Sequence, residues 1–335
     1  MSLNETLKPN ADKPRSLKAR EPQADLVFRA VARSAGGLTI AIMLAVGLFL
    51  SLNGANAMRI AGWGFLTTQS WNTSIPKAGE FGIAAVLFGT IQIAIIALCV
   101  AFPLSFGTAL LISEVLPGNI KSTFISIVDL MAAVPSVIFG LWGVFFLQAN
   151  VIPVSAWISQ NLGWLPIFAV TDGSGHHVTE ASNFTSSSFI AGIVVGLMVV
   201  PTMTSVMREA FSQAPVGERE GALALGSTRW GMIRAVVLPY GRGGIIGGTM
   251  LGLGRALGET IAVYMIISPI FNINWQILKS GGNSVSALIA LRYGEASGFG
   301  LSALMAAGLV LFLITMAINF TASSIVARSR SGADN

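Results

Sequence analysis

Charged residues are scarce in this 335-residue chain, at 10% of the total. Soluble domains carry about 25%, so this chain has too few charges to cover a folded surface that faces water. Hydrophobic residues make up 53%, which excludes an intrinsically disordered protein. The class that remains is an integral membrane protein.

Residues that bind metals or form cross-links are almost missing. Cys99 is the only cysteine, which excludes a disulfide-stabilised scaffold. His176 and His177 are adjacent and have no third ligand close in sequence, so we predict no metal site. The chain also lacks a Gly-x-x-x-x-Gly-Lys-Ser/Thr loop for ATP phosphates. We therefore expect a transport subunit, not an enzyme, with no cofactor on this chain.

Long uncharged stretches predict an all-α integral membrane protein with six transmembrane helices. A helix needs about 20 apolar residues to cross the bilayer, and backbone groups in lipid must be hydrogen-bonded internally. The first predicted span is 34–58, and a core of residues 80–327 contains the other five. Those five spans are 81–113, 122–150 with Asp129 inside, 181–207, 243–268 with Arg255 and Glu259 inside, and 296–327.

Lysine and arginine are unevenly distributed along the chain. Residues 1–33 form a basic tail without a small-residue cleavage site, so we expect the first span to be retained. With a cytoplasmic N-terminus, 15 of the 20 basic residues fall in cytoplasmic segments, including the tail 328–335, and Arg255 alone lies within a span. This asymmetry follows the positive-inside rule and predicts a multi-pass membrane protein with both termini cytoplasmic. The net charge of +5 therefore indicates contact with anionic lipid, not nucleic acid.

The longest cytoplasmic connection, residues 208–242, predicts two short helices joined at a bend. Pro215 is suited to the start of the first helix, and Gly226 is suited to its end. Ser227 or Thr228 is suited to cap the second helix. Such an elbow fits a groove on a soluble partner, whereas an ordinary loop is the alternative.

The elbow also resembles the EAA loop of bacterial ABC-importer permeases, whose pattern is E-A-A, three residues, G, nine residues, I-x-L-P. The resemblance implies a coupling helix that docks on an ATPase subunit, and we expect the proline of this pattern to end the segment. Gly221 and Val236 depart from the pattern only slightly. The residues that carry the resemblance are Glu220, Gly221, Ala222, Gly226, Val236, Leu238 and Pro239.

A charged pair lies inside the predicted fifth span. At 1.5 Å per residue, Arg255 is about 18 Å into the span, close to the middle of the bilayer. The four-residue spacing predicts that Glu259 shares its helix face and holds Arg255 until an anion competes. Charges at this depth normally face a protein interior or a water-filled path; a structural ion pair is the alternative. Gly244, Gly248 and Gly252 predict a close helix contact.

Two further segments resemble phosphate ABC-transporter permeases. Residues 251–260 resemble the GRALGET segment of that family, and residues 131–143 resemble its AAIPSVVYGLWG segment. Ile261, Ala262 and Val263 are closer to the PstC-type than to the PstA-type subunit. The resemblance covers residues 80–327. It implies a type I importer permease of MetI-like fold that imports inorganic phosphate.

The same resemblance implies the partners of the chain: a PstA-like second permease, two PstB-like ATPase subunits that hold ATP and Mg, and a periplasmic PstS-like phosphate-binding protein. It places Arg255 and Glu259 in the substrate pathway. Asp129, where the family often has Glu, is a third pathway residue or a salt-bridge partner in the interior or on the cytoplasmic side. Import of sulfate, molybdate or phosphonate, an ATPase-independent anion transporter or channel, and a membrane scaffold are the alternatives.

Overall fold

The computed structural model describes residues 23–171, 178, 180–296 and 298–331. The histidine pair expected to lack a metal lies outside these residues. The chain divides into two compact units, Met1–Leu48 and Phe49–Asn335. The described part of the first unit belongs to helix α1 (Gln23–Ala61), and its side chains are largely exposed.

Helices build the second unit as well, and the described residues contain no strand beyond isolated bridges. The all-α prediction is confirmed. Three π-helical turns, Leu111–Val115, Gly143–Leu147 and Ile233–Val237, follow α3, α5 and α9 without a break. After α1 the helices are α2 (Gly64–Thr67), α3 (Ala84–Leu110), α4 (Gly118–Ala132), α5 (Ser136–Trp142), α6 (Gln148–Leu162), α7 (Ser188–Ser212), α8 (Val216–Ala224), α9 (Arg229–Met232), α10 (Leu238–Leu257), α11 (Ile261–Ile266), α12 (Val285–Arg292) and α13 (Phe299–Ser331).

Five helical segments of the described chain, not the expected six, are long and apolar enough to cross a membrane. Four of them correspond to the predicted first, second, fourth and sixth spans, and α1 and α13 extend beyond the predicted limits. The five segments are Ala24–Ala61, Ala84–Val115, Ser136–Leu162, Ser188–Ser212 and Phe299–Ser324.

The predicted third span, 122–150, is wrong in its position. Pro135 has no backbone N–H and disfavours helical backbone at the residue before it. Helix α4 ends at Ala132, the backbone is extended at Pro135, with ψ of 141°, and α5 begins at Ser136. The membrane-length segment is Ser136–Leu162, so Asp129 lies in the separate helix α4 and not within a span.

The predicted fifth span, 243–268, is also interrupted. Helix α10 ends at Leu257, the chain is non-helical at Gly258, and α11 covers only Ile261–Ile266. At the other end α10 begins earlier than expected, because α9 leads into it through a π-helical turn. Pro239 therefore follows the π-helical turn as the second residue of α10 and does not end the segment.

Glycines bring α10 close to α7. A Cβ atom on Gly244 would lie 2.0 Å from Cβ of Ala210, and one on Gly252 would lie 2.4 Å from Sδ of Met203. A Cβ on Gly248 would lie 3.2 Å from the carbonyl oxygen of Met203. The close helix contact predicted from the four-residue glycine spacing is confirmed, and α7 is the partner helix.

Candidate functional site

The elbow after α7 has the two helices that the sequence predicts. Gly226 has a φ of 84°, in the left-handed region that favours glycine. The N–H of Ser227 then donates to the carbonyl of Ala222 (3.2 Å), which closes α8. Thr228 caps α9, because its Oγ1 accepts from the N–H of Gly231 (3.1 Å). Local capping signals therefore determine this shape.

The elbow presents large apolar side chains to solvent. Leu225 is 91% exposed and Trp230 is 60% exposed. Glu220 and Gly221 of α8 are exposed beside them, and Ala222 is half-buried. Exposed apolar residues of this size, close to charged residues, are typical of a protein-interaction surface. Of the predicted coupling residues, only Leu238 and Pro239 lie away from this surface, on α10.

One residue of α8 points away from this surface. Arg219 donates from Nη1 to Oε2 of Glu114 (3.2 Å), which lies in the π-helical turn after α3. Its Nη2 donates to the carbonyl of Phe211, near the end of α7. The side chain of Glu114 is 3% exposed. No local sequence pattern indicates this ion pair, because the two residues are 105 positions apart.

Arg255 lies in the last turn of α10, where a cation interacts favourably with the helix dipole. Its Nη1 donates to Oγ1 of Thr202 on α7 (3.0 Å), and the residue is exposed. Guanidinium has five N–H donors, so the contact with Thr202 leaves others for a ligand. The sequence signal for Thr202 was a hydroxyl directly after Pro201 within an apolar span.

Glu259 does not share a helix face with Arg255. Because α10 ends at Leu257, Glu259 follows the break, and its Oε1 accepts from the N–H of Ala262 (3.1 Å) at the start of α11. Its carbonyl accepts from Oγ of Ser286 (2.6 Å). Among the described residues no ion pair or hydrogen bond joins Glu259 to Arg255. The predicted pairing is therefore wrong in this structure.

Asp129 is exposed on α4. No hydrogen bond or ion pair of the described side chains includes it, so the structure does not bring it to Arg255. The structure thus places two of the three pathway candidates on either side of one helix break. Non-helical backbone at membrane depth is tolerated where it is buried in protein or lines a cavity, and broken helices often carry transport sites.

Multiple membrane-length helices and a broken helix with an exposed arginine at its end define a multi-pass membrane permease. Residues 101–331 match the family described as "Binding-protein-dependent transport system inner membrane component". The chain belongs to this family. It is similar to the "Phosphate transport system permease protein PstC 2" of Mycobacterium bovis, 36% identical over 311 residues that cover 92% of this chain and 94% of that protein.

A second relative has the same kind of name, and a solved structure has a similar fold. The "Phosphate transport system permease protein PstC" of Xylella fastidiosa is 34% identical over 300 residues, 89% of each chain. A solved structure of a bacterial ABC transporter involved in the import of the acidic polysaccharide alginate has a chain that is similar in fold, with a TM-score of 0.57 and 18% identity. The match covers 91% of this chain and 98% of that one.

Proposed function

We propose that this chain is a membrane-spanning subunit of an ATP-driven importer of inorganic phosphate. It forms part of the translocation pathway and couples that pathway to a separate ATPase. Its relatives named as phosphate transport permeases support the substrate, and the geometry of Arg255 supports an oxyanion. ATP hydrolysis takes place on the partner ATPase, and this chain supplies no catalytic group.

One observation supports a mechanical coupling of the elbow to the pathway. Helix α9, the second helix of the elbow, continues through a π-helical turn into α10, which ends two residues after Arg255. The continuous helix from Arg229 to Leu257 is about 43 Å long at 1.5 Å per residue. A rotation or shift of the elbow at one end can therefore be transmitted to Arg255 at the other, because both ends belong to one uninterrupted helical segment.

The pathway step follows from the contacts of Arg255. The guanidinium donates to the hydroxyl of Thr202 (3.0 Å). An arriving phosphate offers charged oxygens, which form stronger hydrogen bonds to guanidinium than a neutral hydroxyl does. Glu259, fixed at the start of α11, provides a nearby negative charge that favours release of the anion. Movement of α10 then exposes Arg255 alternately to the two sides of the membrane.

The surfaces of the chain support the proposed partners. The elbow surface around Leu225 and Trp230 docks on one of two ATPase subunits. Helix α4 has no buried residue and carries exposed apolar residues such as Leu130 (72%), which suits contact with a homologous second permease. A periplasmic phosphate-binding protein delivers the substrate, and both termini are cytoplasmic in the plasma membrane.

Reconstitution tests the proposal. The chain is purified with its partner subunits, inserted in proteoliposomes, and supplied with the binding protein, ATP and labelled phosphate. We expect uptake that requires ATP and that an excess of sulfate, molybdate or phosphonate does not suppress. Uptake without ATP would indicate an anion transporter or channel instead. Suppression by one of the competing anions would assign that anion as the substrate.

A further inference from the structure

Neighbouring charged side chains of the coupling helix α8 point in different directions. Glu218 and Glu220 are exposed, whereas Arg219 between them is turned into the protein. Successive side chains of an α-helix are about 100° apart, so Arg219 lies on a different face of α8 from Glu218 and Glu220. Glu218 and Glu220 can contact a partner, whereas Arg219 contacts residues of this chain.

The guanidinium of Arg219 joins three helices. Nη1 binds Glu114 at the end of α3 (3.2 Å), and Nη2 binds the carbonyl of Phe211 in the last turn of α7. The second carboxylate oxygen of Glu114 accepts from Oγ of Ser113. The Arg219 and Glu114 side chains are 19% and 3% exposed. A single side chain of α8 therefore contacts both membrane-spanning helices that form the centre of the fold.

Stability alone is a weak explanation for this contact. A buried ion pair must overcome the desolvation of both charges, and well-packed apolar residues often stabilise a fold equally well. Nε of Arg219 is buried without a partner among the described residues, which adds a further cost. The pair does, however, fix α8 in one orientation relative to α3 and α7, because each contact has a defined direction.

We infer that the Arg219–Glu114 ion pair, with the Phe211 carbonyl, is a transmission contact that carries movement of the docked coupling helix into α3 and α7. The inference rests on the proposed function, in which α8 docks on an ATPase. Helix α7 also carries Thr202, nine residues before Phe211 in the same helix. The contact thus gives the elbow a second connection to Arg255, through α7 as well as through α10.

The test compares phosphate transported per ATP hydrolysed in the full reconstituted complex. Arg219→Gln and Glu114→Gln each leave one charge unpaired and weaken the attachment of α8 to α3 and α7. Mutations within coupling networks change coupling by about two- to thirtyfold, and we expect a decrease of that size in transport per ATP. Glu209→Gln, the same change at an exposed carboxylate of α7 that joins no ion pair among the described residues, is the matched control and keeps the wild-type ratio.

Two further variants separate transmission from simple folding. Arg219→Lys keeps the cation and retains at least half of the coupling. The double variant Arg219→Gln with Glu114→Gln removes the unpaired charge, so assembly recovers fully even where a single variant assembles poorly. We expect its transport per ATP to remain low. Wild-type coupling in Arg219→Gln, or in the assembled double variant, would overturn the inference.

The experiment distinguishes an error in the proposed function from an error in this inference. If the wild-type complex does not take up phosphate with ATP, the function is wrong. If the wild type transports phosphate and the variants keep its coupling ratio, only the transmission contact is wrong.

Discussion

The contact between α7 and α10 gives a prediction whose size follows from one distance. In Gly244→Ala the new Cβ would lie 2.0 Å from Cβ of Ala210. Carbon atoms in contact are about 3.5–4.0 Å apart, so the two helices must separate by about 1.5–2 Å at this level. Overpacking of this kind costs about 1–3 kcal/mol. The separation also moves α10, which carries Arg255, away from Thr202 on α7.

The matched control is Gly107→Ala, because a Cβ on Gly107 of α3 would meet nothing within 4 Å. Both substitutions gain about 1 kcal/mol of helix propensity, so their difference measures the packing. We expect Gly244→Ala to unfold in detergent at a lower temperature than Gly107→Ala. The pair Gly244→Ala with Ala210→Gly should recover, since the nearest remaining atom, Cα of residue 210, would be 3.5 Å away. Equal unfolding temperatures for the two single variants would refute the reasoning.

Three other substitutions test the elbow and the site. Gly226→Ala forces a β-carbon into left-handed backbone (φ 84°) at a cost of about 1–2 kcal/mol, so less ATPase should copurify with the complex, and Gly226→Asn should lose less. Thr202→Val removes the hydrogen bond to Arg255 and should change the KM for phosphate uptake about two- to tenfold, whereas Thr202→Ser should keep the wild-type KM. Thr228→Ala removes the cap of α9 and should destabilise the assembled complex by about 1 kcal/mol in thermal unfolding; an unchanged transition would contradict the capping role.

The elbow was predictable because its signals are local. A glycine with positive φ, a threonine cap and a proline before the first helix act within a few residues of their positions. The glycine spacing in α10 was predictable for a similar reason, since residues four apart share a helix face. The sequence did not reveal that α7 is the partner helix, because that contact joins distant segments.

The site itself was predicted only in part. Arg255 was identified because an arginine is rare at that depth in an apolar segment. The predicted pairing of Arg255 with Glu259 was wrong. Residues four apart share a face only in an unbroken helix, and the chain leaves the helix at Gly258. Hydropathy alone also placed one span across Pro135, where α4 and α5 are separate helices. The Arg219–Glu114 pair depends on tertiary packing between segments 105 residues apart, which no local pattern encodes.

Uptake of labelled phosphate by reconstituted complexes with Arg255→Gln tests the central claim most directly. Arg242→Gln, an exposed arginine on the same helix, serves as the control. We predict that Arg255→Gln assembles normally but loses ATP-driven uptake, that Arg255→Lys keeps part of it, and that Arg242→Gln transports like the wild type. Wild-type uptake by a normally assembled Arg255→Gln complex would contradict the assignment of Arg255 to the phosphate pathway.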